Sequence, residues 1–275
     1  MLQTLLARLR DEFAQLPQVE AVAISGSRTR TDVVPDAFSD IDLYIFTRVD
    51  IPLVVREGIV DRVGGAMQVQ LDQRFWGLSD QWIDAGTGIH VDLNYFDAQW
   101  MEDAVTRVVE RHEASLGYTT CFWRTIRQST LLFDRGTWFA DLKARADVAY
   151  PEPLRRNIVA LNHPVLRSIH TSYAHQIDKA VARNDPVSVN HRVAALLASY
   201  FDCVFAASRV GHPGEKRLLE LAVASCEWCP VDLVDDVTAL LHAAAGEPTA
   251  IGQRIVVLLD KLDASLLAAG LEVTR

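Results

Sequence analysis

Two hydrophobic periods divide the chain. Leu2, Leu5, Leu6, Leu9, Phe13 and Leu16 recur at helical spacing, which predicts an opening amphipathic helix ending at Leu16-Pro17. The period then shortens. Residues 22–25 and 41–47 read as strands, and the alternation of Met67-Gln68-Val69-Gln70-Leu71 predicts a third with one wet face. Pro52 before and Gly64-Gly65 after residues 53–63 bracket a helix. Residues 72–87 mix Gly77 and Gly86 with polar residues and read mostly as loop. Residues 89–96 alternate again, with His90, Asp92 and Asn94 on one face and Val91, Leu93 and Tyr95 on the other.

Beyond Asp97 the helical period takes over. Residues 100–111 and 119–128 read as helices, and Leu131-Leu132-Phe133-Asp134 as a short apolar piece ending in an acid. From Pro151 onward no strand pattern emerges. Helices are expected over 163–183, 187–209, 215–227, 231–245 and 251–269, punctuated by Pro186, Gly211-His212-Pro213-Gly214, Pro230 and Gly270. The expected fold is α+β. A first domain over residues 1–112, a mixed sheet with flanking helices, is expected to precede an all-α helical bundle over 113–275, with a cleft between them.

With 275 residues, one or two domains and a sizeable core are expected. A net charge of −9 speaks against wrapping a nucleic acid by electrostatics, so no nucleic-acid partner is expected. Asp11 and Glu12 interrupt the first apolar segment, which is not a secretory signal. The longest apolar run, 193–207, contains Asp202 and is too short to span a bilayer. Four cysteines in a chain this long do not make a disulfide scaffold. A cytoplasmic protein with no membrane partner is expected.

The candidate chemistry lies in Ile24-Ser25-Gly26-Ser27 and Ser39-Asp40-Ile41-Asp42-Leu43. Asp40 and Asp42, two apart on a strand, share a face. Two like charges side by side are unfavourable unless neutralised, and Mg²⁺ does this well because it takes a few carboxylates plus substrate phosphates. Gly26-Ser27 offers close backbone approach and a hydroxyl where a phosphate can rest. Simpler readings stand beside this one. The two acids could be solvated at a strand edge, Asp92 could pair with Arg28 or Arg74, and Ser27 could cap a helix.

Gly26-Ser27, a loop, then Ser39-Asp40-Ile41-Asp42-Leu43 resembles the GS…DxD signature of the DNA polymerase β nucleotidyltransferase superfamily. Within it, the stretch is most similar to the small bacterial kanamycin and lincosamide nucleotidyltransferases. The resemblance covers roughly the first third of the chain. It departs from the family where Arg28-Thr29-Arg30-Thr31 replaces a glycine-bearing loop. It implies transfer of an NMP from an NTP, ATP being the expected donor, to a hydroxyl of a small molecule, with release of pyrophosphate. It also implies two Mg²⁺ ions on Asp40, Asp42 and a third carboxylate, Asp92, which accepts the hydroxyl proton. Gly26, Ser27, Arg28 and Ser39 form the implied nucleotide-binding set. Aminoglycosides or lincosamides are the family precedent for the acceptor, and the acidic balance suits a cationic one. A homodimer through the helical domain is a further implication.

Lys216 follows a Pro-Gly turn and falls in the first turn of an expected helix, where positive charge opposes the macrodipole. It is either a triphosphate ligand or a solvated lysine. Glu102, Glu110 and Glu113 are alternative bases or solvated helix residues. Cys226-Glu227-Trp228-Cys229 lacks a second pair for zinc, though Cys203 and His212 could join it, and it ends a helix rather than following a strand as a redox motif would. Two rival functions remain open: nucleotide transfer onto a protein or tRNA, and a scaffold that binds nucleotide without turnover.

Overall fold

The computed structural model describes residues 2–26, 40–75 and 77–273. In chain order it contains α1 (Leu2–Ala14), β1 (Val19–Ser25), β2 (Ile41–Thr47), α2 (Leu53–Val63), β3 (Ala66–Gln73), β4 (Ser79–Asp84), β5 (His90–Asp97), α3 (Ala98–Val109), α4 (Cys121–Gln128), β6 (Thr130–Asp134) and α5 (Trp138–Ala146). Helices α6 (Glu152–Arg167), α7 (Tyr173–Ala182), α8 (Pro186–Ala207), α9 (Leu218–Ser225), α10 (Leu233–Gly246) and α11 (Ile251–Ala268) follow. This is the α+β arrangement expected, a mixed sheet with helices followed by a helical region. The chain divides into two compact units. One is Met1–Thr106 with Thr125–Val148, the other Arg107–Arg124 with Ala149–Arg275.

The first unit is built on a six-stranded sheet in the order β3-β4-β5-β2-β1-β6. β2 and β5 run parallel, and every other neighbouring pair is antiparallel. On one face Ile41, Leu43 and Ile45 of β2 and Val91 and Leu93 of β5 pack with Leu5, Leu9 and Phe13 of α1 and Ile59 and Val63 of α2. Burying such side chains contributes about 1.5–3 kcal/mol each, so this layer fixes which face of each strand looks outward.

Residues 72–87 are not mostly loop, because β4 lies within them. Its alternation is disguised. Asp80 and Asp84 are buried with Trp82, while Ser79, Gln81 and Ile83 are less so, and acids are not expected on a core face. Asp80 is satisfied there. Arg56 donates to it at 2.5 Å, the Tyr95 hydroxyl at 2.8 Å and the Asp72 amide at 2.8 Å.

The apolar piece Leu131–Asp134 becomes part of β6 and pairs with β1. Its terminal Asp134 accepts from the amides of Phe139 and Ala140, both at 2.9 Å, and so caps α5. Arg135 donates to the carbonyls of Val19, Ala14 and Leu16.

In the second unit, residues 163–183 are two helices instead of one. Ser172 accepts from the His175 amide and starts α7 afresh. Arg155 of α6, itself buried, donates to the carbonyls of Ala207 and Ala269 and so satisfies the ends of α8 and α11. Among the described residues no helix is long and apolar enough to cross a membrane.

Candidate active site

The core face of β2 and β5 turns Asp42 and Asp92 to the other face, where both are half-buried. They are register partners on adjacent parallel strands, which places their backbones about 4.8 Å apart. The row extends on both sides, because Ser25 of β1 stands opposite Asp42 and Gln81 of β4 opposite Asp92. Four strands thus contribute one transverse line: Gln81, Asp92, Asp42, Ser25.

Gly26 follows Ser25 with φ +72°, and a Cβ there would collide with the Asp42 carboxylate, lying 2.9 Å from its Cγ. Both the left-handed backbone and the lack of room require glycine. Asp40 enters β2 from the preceding segment, and its Oδ1 lies 3.8 Å from His90 Nδ1. Burial raises the Asp92 carboxyl above the usual carboxylate range. The Gln81 and Asn94 amides and His90 oppose that rise, and the Asp40 charge adds to it. Gln81 Nε2 donates to Asp92 Oδ1 at 3.4 Å.

The structure therefore brings Gly26, Asp40, Asp42 and Asp92 to one end of the sheet. Ser27, Arg28 and Ser39 lie outside the described residues. Lys216 is exposed in the second unit, in the turn before α9 rather than in the first turn of a helix. Arg74 pairs with Asp72 rather than Asp92. Glu102 accepts from Trp138 Nε1 and pairs with Arg48, whereas Glu110 and Glu113 are exposed. Gln81 has no counterpart in the motif. Its only sequence signal was the alternation of 79–84, which the buried acids mask.

Among the described residues no three His, Cys, Asp or Glu side chains converge as ligands of a metal. That covers Cys203, His212, Cys226 and Cys229. Burial pushes the Cys226 thiol up to about 12 and raises Cys229 as well. The hard oxygens of Asp42 and Asp92 still suit Mg²⁺, which needs only one or two protein carboxylates when substrate phosphates complete its shell.

Residues 3–90 match the family model of streptomycin adenylyltransferase. The match contains Gly26, Asp40 and Asp42 and stops at the first residue of β5, before Asp92. Among solved structures, the chain is similar to a nucleotidyltransferase-like protein from Exiguobacterium sibiricum, at 18% identity and a TM-score of 0.40, over 94% of this chain and 72% of that one. No curated protein matches the chain.

Proposed function

We propose that this chain, a nucleotidyltransferase by the family its N-terminal segment matches, moves an NMP from ATP to a hydroxyl of a small cationic molecule of the aminoglycoside or lincosamide kind. The observation that carries the reading is Asp42 beside Asp92 on parallel strands, with Gly26 against the Asp42 carboxylate. Asp40, Asp42 and Asp92 would hold two Mg²⁺ ions. When bound, such ions neutralise charge on the phosphate oxygens and favour in-line displacement with pyrophosphate leaving.

The protein's own groups divide the remaining work. Gly26 lets the triphosphate approach the backbone, and Ser27, Arg28 and Ser39 complete that contact. Asp92 takes the proton of the acceptor hydroxyl. Such a base contributes about 10²–10⁴-fold. The streptomycin of the matched family's name makes an aminocyclitol the first acceptor to try.

Calorimetric titration of ATP, GTP, CTP and UTP, with and without Mg²⁺, into wild type and Asp42→Asn tests the reading. Metal-dependent nucleotide binding that the variant loses supports it, and identifies the donor for an acceptor screen read by mass spectrometry. A wild type that binds no nucleotide under any of these conditions overturns it.

A further inference from the structure

We propose that Gln81 is a positioning residue for Asp92: from β4 its amide pins one oxygen of the carboxylate and so sets the direction in which Asp92 meets the metal and the acceptor. The inference rests on the nucleotidyltransferase site described above. Gln81 stands directly opposite Asp92 across the β4–β5 pair, where opposed side chains come within about 4.5–5.5 Å at Cβ. Its Nε2 donates to Oδ1 at 3.4 Å, a long bond of the kind that tightens when a site is loaded. Together with the Asn94 amide, which also reaches Asp92 from its own strand, this bond restricts rotation about the Cβ–Cγ axis.

The donor is neutral, and that matters. A guanidinium at this place would form a charged fork with Asp92 and compete with a bound cation. Among the described residues, Arg56 of α2 is engaged by Asp80 and Asp72, and Arg74 after β3 by Asp72. An amide orients the carboxylate without neutralising it. Loss of partners that orient metal-binding carboxylates lowers metal affinity or activity about 10–100-fold.

The test is Mn²⁺ affinity by electron paramagnetic resonance, with an ATP analogue carrying a methylene between the α and β phosphorus atoms. Wild type, Asp92→Asn, Gln81→Met, Gln81→His and Ser79→Ala are compared, with Tm recorded for each. Met keeps the length of Gln without a donor. His keeps an N–H. Ser79 lies on the same face of β4, opposite Asn94. Gln81→Met is expected to weaken Mn²⁺ binding about 10-fold at unchanged Tm, with Gln81→His recovering most of it and Ser79→Ala matching wild type. Wild-type affinity in both Gln81 variants, with binding lost in Asp92→Asn, overturns the role of Gln81 and leaves the site standing. A wild type that binds no Mn²⁺ with the analogue overturns both.

Discussion

Asp80 and Asp92 sit on neighbouring strands and face opposite sides of one sheet. Asp80 is fully buried and fully answered, with a guanidinium, a phenol and a backbone amide converging on its two oxygens. Asp92 is half-buried and held by the neutral amides of Gln81 and Asn94, and burial leaves its carboxyl raised. The first acid has the surroundings of a group that must stay put. The second has those of a group left with capacity to spare. Sequence position does not separate them, since each is an aspartate in an alternating stretch. The difference lies in which neighbours the sheet register and α2 bring to each.

The sharpest way to break this contrast is to neutralise each acid in turn. Asp92→Asn is expected to lower turnover about 10²–10⁴-fold while leaving the denaturation midpoint nearly unchanged, as steady-state kinetics and urea titration would show. Asp80→Asn should do the reverse. It leaves buried Arg56 with Asp72 as its remaining carboxylate, a change of about 3 kcal/mol in unfolding free energy. Equal effects of the two substitutions on turnover would erase the distinction.

Gly26→Ala comes next in size. The left-handed backbone and the collision with Asp42 are expected to destabilise by about 1–2 kcal/mol and to abolish nucleotide binding, read by Tm and calorimetry together. An alanine variant that binds nucleotide normally would remove Gly26 from the site.

The helical unit offers the same comparison in milder form through Asp202. Burial raises this carboxyl to about 7, against hydrogen bonds from the Thr119 hydroxyl and amide. Its folded value thus lies above the unfolded one of about 3.9, so the folded state binds the proton more tightly. The resulting stability is present below about pH 4 and is lost as pH rises toward 7. Asp202→Asn should flatten the Tm profile across that window, and a profile unchanged from wild type would contradict the assignment. The smallest effect expected is at Cys226, whose thiol stays protonated at neutral pH and should resist iodoacetamide until the protein unfolds, a point mass spectrometry checks directly.

Local spacing was enough to place Asp42 and Asp92 on strand faces away from the core, to find the glycine beside them, and to recognise the helical second half. Those features depend on periods of 2 and 3.6 residues, which any short window of sequence displays. It was not enough to find β4, because Asp80 and Asp84 take core positions that only distant partners such as Arg56 make tolerable. Nor could it join Leu131–Asp134 to β1, or divide 163–183 into two helices at Ser172. Gln81 belongs with these. Its meeting with Asp92 is a matter of strand register, set by which faces the whole sheet buries. Register couples residues far apart in the chain, and no local pattern encodes it.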